Sequence, residues 1–168
     1  GKDYNIITDN MHYRSDTKIT YFFGPSYITS RNKVIYCENG WYNTRTNISQ
    51  FQENAYIKTK SYTLKSDSIY YNKNLKYGKA MQNVEVIDTV NNINVFGGLG
   101  EYFEEENKIE ITVKPLLNVL FENDTLFMHS NKFVSINESK EDKILAYNQV
   151  KFFKKNFQGK CDSLSYSF

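Results

Sequence analysis

Cysteine and proline are nearly absent from this sequence, with two of each among 168 residues. Two thiols make at most one disulfide, so a densely cross-linked miniature scaffold is excluded and the fold has to rest on a buried core. With only eight glycines as well, the chain is neither collagen-like nor linker-like. No run approaches the roughly 18 consecutive apolar residues of a membrane-spanning helix. Neither sign of charge dominates. The net charge is +2 and there is no basic arm, which leaves nucleic acid without an electrostatic footprint. What the chain has instead is aromatics: 14 Tyr and 12 Phe against one Trp. Tyr, Phe, Ile, Val and Thr favour strands, and the many Asn residues favour tight turns, so the composition is all-β.

A repeat organises it. An apolar residue, a spacer, a small residue and a turn-type residue are followed four places later by an aromatic. The pattern reads Ile6-Ile7-Thr8-Asp9 to Tyr13, Ile35-Tyr36-Cys37-Glu38 to Tyr42, and Leu64-Lys65-Ser66-Asp67 to Tyr71. It continues as Val95-Phe96-Gly97-Gly98 to Tyr102 and Gly159-Lys160-Cys161-Asp162 to Tyr166. Met128-His129-Ser130-Asn131 is a degenerate copy in which Phe133 brings the aromatic early. Ahead of the later copies stand apolar-x-apolar steps: Ala55-Tyr56-Ile57, Val84-Glu85-Val86, Leu117-Asn118-Val119 and Val150-Lys151-Phe152. Such alternation is the mark of a half-buried strand, and polar clusters rich in Asn separate the steps. Each unit of about 30 residues therefore holds two strands and two turns, and six units give about a dozen strands. The small residue and the later Tyr fall on opposite parity. A bulge or corner at the intervening position restores both to one face. The expected fold is a solenoid-like stack of bent strands around an apolar interior.

Cys37 and Cys161 occupy the same slot four units apart. At ~4.8 Å or more per unit their separation exceeds the ~7 Å Cα limit of a disulfide, so both are expected to be free, buried fillers. The chain opens at Gly1-Lys2-Asp3 with no apolar leader and closes at Ser165-Tyr166-Ser167-Phe168 within an alternation. We expect a single domain over residues 1–168 that is a fragment of a longer chain.

Chemistry-bearing constellations are few. His12 and His129 fall at different offsets in their units, so no repeated metal site arises and no cofactor is implied. Gly97-Gly98-Leu99-Gly100 sits inside a repeat and opens no helix, which reads as close packing at a bend. Glu104-Glu105-Glu106 reads as a solvated turn, and Asp67-Ser68 and Asp162-Ser163 as structural corners. The sequons at Asn47, Asn123 and Asn137 carry little weight in so Asn-rich a chain. An enzyme is not expected. A continuous apolar trough suits a long or multi-chain hydrophobic ligand, whereas a glycan-binding or adhesin module on the same repeat would turn its aromatics outward.

Three stretches resemble the OstA/LptA-like family of periplasmic lipopolysaccharide-transport proteins, to which the N-terminal domain of LptD is related. They are Ala80 to Asp88 (Ala-Met-Gln-Asn-Val-Glu-Val-Ile-Asp), Ala146 to Phe152 followed by Cys161-Asp162-Ser163-Leu164-Ser165-Tyr166, and Lys114-Pro115-Leu116-Leu117 followed by Asp124 to Asn131. In the last, Ser130-Asn131 departs from the family's usual Ala-Asp.

The resemblance implies a bent β-jellyroll, open along one side, that takes lipid A acyl chains inside. Ile57, Leu64, Ile69, Val84, Val86, Val95, Leu117, Val119, Met128, Phe133, Val150, Phe152 and Leu164 would face the lipid. Lys58, Lys60, Lys151, Lys154 and Lys155 would meet phosphates at the rim. Expected partners are lipopolysaccharide and other Lpt-type jellyrolls, or further copies of this chain, joined by end-to-end strand addition. The expected location is the periplasm, in association with the outer membrane.

Overall fold

Side-chain alternation held over about ten residues at a time builds long strands, and short Asn-rich segments fold each back on the last. The computed structural model describes residues 5–31, 33–137 and 142–167. The expected turn after Asn137 falls mostly at residues 138–141, outside the described residues. Those described form thirteen antiparallel strands in one sheet. They are β1 (Asn5–Arg14), β2 (Ile19–Thr29), β3 (Val34–Asn43), β4 (Ile48–Lys58), β5 (Tyr62–Asn72), β6 (Tyr77–Asp88) and β7 (Ile93–Phe103). There follow β8 (Lys108–Thr112), β9 (Leu116–Phe121), β10 (Asp124–His129), β11 (Lys132–Asn137), β12 (Asp142–Lys154) and β13 (Phe157–Ser167).

The pairing order β7-β8-β11-β12-β10-β9 looks like a crossover but is a plain meander. The first half of β7 pairs β9 while its second half pairs β8, and β12 splits in the same way between β10 and β11. Thus β8 with β9 forms one bent layer, β10 with β11 another, and the thirteen strands make eleven layers. Each layer bends in the middle, so the sheet divides into two half-sheets folded toward each other: a bent β-jellyroll.

The bend has a fixed construction. Odd layers place one residue at it (Asp9, Glu38, Asp67, Gly98, Asp162), and the even layers opposite place two (Gly24-Pro25, Glu53-Asn54, Gln82-Asn83, Asn148-Gln149). One residue opposing two is a β-bulge, which bends the ladder and raises its twist. Apart from Pro25, the doubled residues take positive φ: Gly24 78°, Glu53 60° and Asn54 55°, Gln82 64° and Asn83 50°, Asn148 62° and Gln149 57°, and likewise Val113 63° and Lys114 55°, the doubled pair where β8 passes into β9. Asn tolerates this region best among residues with a side chain. Side chains tie adjacent bends together, Asn54 Nδ2 donating to Glu38 Oε1 at 2.8 Å and Asn83 Nδ2 to Asp67 Oδ2 at 2.8 Å. The small-residue slot also serves the bend. Ser66 Oγ donates to the carbonyls of Ser68 and Met81 at 3.0 and 2.8 Å, and Ser130 Oγ to that of Lys132 at 2.9 Å.

The hairpins are equally regular. Asn43, Asn72 and Asp88 each accept two backbone N–H groups from their own turn at 2.8–3.1 Å. The closing residue of the turn adopts positive φ, as at Lys18, Asn47, Lys76, Asn92 and Asn107. Turns two layers apart stack, with Lys73 N–H donating to the Asn47 carbonyl at 3.0 Å and Glu104 N–H to that of Lys76 at 2.9 Å.

Candidate functional site

Cross-strand register aligns the inward side chains into rows that run through every layer. On the half-sheet containing β8 and β11, one row reads Met11, Phe22, Gly40, Phe51, Ile69, Ala80, Gly100, Ile111, Phe133, Ala146, Leu164. Facing it on the other half-sheet is Ile6, Ile28, Ile35, Ile57, Leu64, Val86, Val95, Leu117, Met128, Phe152, Gly159. Neither row contains a polar side chain. Buried members of both belong to one apolar cluster, so the half-sheets close on each other.

A third row, nearer the open side, carries the repeating tyrosines: Tyr13, Thr20, Tyr42, Ser49, Tyr71, Gly78, Tyr102, Ile109, Ser135, Ile144, Tyr166. In its first seven layers large and small alternate, which lets neighbouring rings interdigitate. Layers eight to ten depart from this, holding Ile109, Ser135 and Ile144. The cavity of the interior, about 250 Å³, opens there, lined by these three residues with Tyr102, Ile111, Phe133, Val86, Val95, Ile93 and Tyr62. Ser135, standing in a layer where the alternation calls for tyrosine, creates the space. Burial, followed by neighbouring Glu104, pushes the Tyr62 phenol above its ordinary pKa; burial, then Tyr62 and Glu104, does the same at Tyr102. Both stay neutral hydrogen-bond donors at the mouth. No strand pairing joins the half-sheets across this mouth among the described residues.

Among the described residues the stack ends in β1 and β13, each paired along one edge only. Inner rows come to the surface at both: Met11 is 51% exposed, Ile6 42% and Phe157 62%. Phe157 stacks on Phe152 at 5.1 Å between ring centroids.

All thirteen residues expected to line the interior face it. Ile69, Val84, Val95, Leu117, Val119, Met128, Phe133 and Val150 are buried in the cluster, while Ile57, Leu64, Val86, Phe152 and Leu164 pack against it half-buried. The five rim lysines do not stay together. Lys154, one step beyond Phe152 on the inner face, stands at the mouth with Nζ 3.9 Å from the centre of the Phe121 ring. Lys58 and Lys151 alternate with inward Ile57, Val150 and Phe152 and therefore project from the outer face, and Lys60 and Lys155 lie in turns. The lysine that does cross the mouth is Lys33, whose Nζ lies 5.8 Å from the centre of the Tyr71 ring on the opposite half-sheet. Its inward parity is legible only once the β2–β3 hairpin register is known. That register also brings in Ile28 and Ile35, which sequence reading did not pair.

Both cysteines are free, but only Cys37 is buried. Cys161 occupies the same slot on β13, where no further layer covers it, so the expectation of two buried thiols is corrected by the position of the edge. Phe133 is not a displaced copy of the tyrosine; it fills the slot of Ile69 and Leu164, and Ser135 holds the tyrosine place. The Gly97-Gly98 pair sits at a bend against Ile111, Thr112 and Val113. His12 and His129 project outward, and among the described residues no three His, Cys, Asp or Glu side chains gather as metal ligands would.

Residues 2–67 match the family described as OstA-like protein. The three stretches that carry the resemblance in sequence lie beyond that match. No curated protein matches the chain. Among solved structures, the chain is similar to LptH of Pseudomonas aeruginosa, described as the LptA homologous periplasmic component of the lipopolysaccharide transport device. Identity is 11% over 78% of this chain and 73% of that one, with a TM-score of 0.29.

Proposed function

We propose that this OstA-like chain, of the lipopolysaccharide-transport type, carries the acyl chains of lipid A between its half-sheets as the lipid crosses the periplasm. The observation that supports this reading is the pair of facing apolar rows, uninterrupted through eleven layers and emerging at both unpaired ends. Each CH₂ withdrawn from water contributes about 0.8 kcal/mol, so a multi-acyl lipid needs a continuous apolar path rather than one deep pocket. The resting cavity of about 250 Å³ falls below the ~300–1,000 Å³ typical of small-molecule pockets. Acyl chains therefore enter by parting the half-sheets along the unpaired mouth. Lys33 and Lys154, the cations on the inner side of that mouth, are placed to meet the lipid phosphates. The exposed rows at β1 and β13 suit strand addition by another jellyroll or a second copy.

The outward tyrosines are the one observation that favours a glycan-binding module. Tyr27, Tyr36 and Tyr56 form an outer ladder, with Tyr36 and Tyr56 stacked at 5.2 Å and 17° between ring planes. Rings stacked on one another present edges to solvent, whereas a pyranose needs an open face, so the lipid reading is preferred. Photo-crosslinking residues at Val86 and Phe152 test it: both are expected to label lipopolysaccharide, with the outward Lys65 as an unlabelled control. Replacing Ser135 by Tyr restores the repeat, fills the cavity and is expected to reduce labelling at Val86. Labelling at Lys65 but at neither inner position would refute the proposal.

A further inference from the structure

On the outer face of the β9–β10–β12–β13 half-sheet, turned away from the trough, exposed aromatics and cations share one patch. Phe127 and Phe153 are directly paired across β10 and β12 and are 42% and 53% exposed; Leu116, 37% exposed, lies beside them. His129, Lys151 and Lys160 form the adjoining row, each opposite the next. Together they surround a shallow, open concavity of about 590 Å³. No outward position of these four strands on this half-sheet holds a carboxylate. Glu122 lies in a turn, Asp124 keeps the inner parity of Leu126, and Asp162 is at the bend. Six layers along, by contrast, Lys65 of the same outer row is neutralised by Glu85 at 3.0 Å.

We infer that this patch docks on the surface of an anionic lipid bilayer. Exposed aromatics flush with unpaired lysines suit an interface that is apolar below and negatively charged above: rings enter the headgroup boundary while lysine stems lie along it and their ammonium groups remain among phosphates. A second copy of this chain fits poorly, because a two-fold contact through the patch would set Lys151 and Lys160 against their own equivalents. The inference does not depend on the lipid-trough reading, since none of these side chains faces the interior.

Sedimentation of the protein with vesicles tests it, using phosphatidylcholine alone and phosphatidylcholine mixed with phosphatidylglycerol. The protein is expected to pellet with the anionic vesicles at low salt and to be released at high salt. Lys151→Glu and Lys160→Glu should each weaken binding at least roughly fivefold, the share of one lysine near a charged surface. The double change Phe127→Ser with Phe153→Ser should abolish it, and Tyr27→Ser, on the same outer face at the far end, should leave it unchanged. These positions are exposed, and unchanged circular dichroism establishes that each variant is folded. Three results would overturn the inference: no pelleting with anionic vesicles, pelleting that survives both the lysine and the phenylalanine changes, or a wild-type dimer in solution that Phe153→Ser dissolves.

Discussion

Two glycines of the inner rows make opposite forecasts for the same substitution. At Gly97, in the small-residue slot of the bend, an added Cβ would lie 2.5 Å from Ile111 Cγ2 and 2.8 Å from the Thr112 carbonyl oxygen. The methyl has nowhere to retreat, because the next residue is clamped: Gly98 N–H donates to the Val113 carbonyl at 2.9 Å. At Gly78, between Tyr71 and Tyr102, the nearest atoms to a new Cβ are 3.5 and 3.6 Å away, ordinary van der Waals contact. Neither glycine has positive φ; Gly24 alone among the described glycines does. Backbone strain therefore cancels, and only space distinguishes the two sites.

Forcing a methyl into the closed site costs about 1–3 kcal/mol. Filling the open one removes unfolded-state entropy and is expected to stabilise by about 0.4–1 kcal/mol. Gly97→Ala shares that unfolded-state gain, so the two substitutions should differ by the packing cost of about 1–3 kcal/mol, which at this chain length separates their melting temperatures by several degrees, at about 2–4 °C per kcal/mol. Urea titrations followed by circular dichroism would read both, with unchanged m-values showing that neither variant alters the compactness of its end states. Equal effects from the two substitutions would refute the claim that the bend is packed against backbone while the tyrosine row is packed against movable rings.

Val113 is the one β-branched residue at a doubled bend position, with φ 63° and 58% exposure; Val113→Asn is expected to stabilise by about 1 kcal/mol in the same titration. Burial raises the Cys37 thiol from 9.0 to about 11. Between those values the unfolded chain releases the proton and the folded chain keeps it, so stability should fall as pH rises from about 9 to 11, and less steeply in Cys37→Ala. At pH 8 a thiol reagent should modify Cys161 at once and Cys37 only after unfolding.

The bends of the odd layers were readable in the sequence, those of the even layers were not, and the reason is a matter of parity. On odd layers the inward residues flanking the bend are three apart: Thr8 and Met11, Cys37 and Gly40, Ser66 and Ile69, Gly97 and Gly100, Ser130 and Phe133, Cys161 and Leu164. Alternation breaks there, and the break announces a corner. On even layers the flanking pairs are four apart: Phe22 and Ser26, Phe51 and Ala55, Ala80 and Val84, Ile111 and Pro115, Ala146 and Val150. Alternation continues in step through those bends, so a reader sees a straight strand where the fold has a bent layer. Interior residues survive this blindness because their parity is right on either side. The rim lysines do not, because membership of the rim depends on distance from a hairpin tip, and only the register supplies that distance.

The degenerate copy of the repeat turns out to locate the cavity. Ser135 stands where the pattern calls for tyrosine, and Ile109 and Ile144 on either side are the two other departures from the large-and-small alternation of that row. With a full complement of rings the third row would interdigitate as it does through Tyr42, Ser49, Tyr71, Gly78 and Tyr102, and the mouth would be filled from the first layer to the tenth. The ring missing at Ser135 leaves the space lined by Tyr62, Ile93, Phe133 and Ile144, next to the most deeply buried stretch of the aliphatic row, where Leu117 and Met128 are 1% and 3% exposed. A repeat that builds the walls thus needs an exception to make room between them. For a chain of this kind the flawed unit is the informative one, because regularity specifies packing and only its local failure specifies a place for something else.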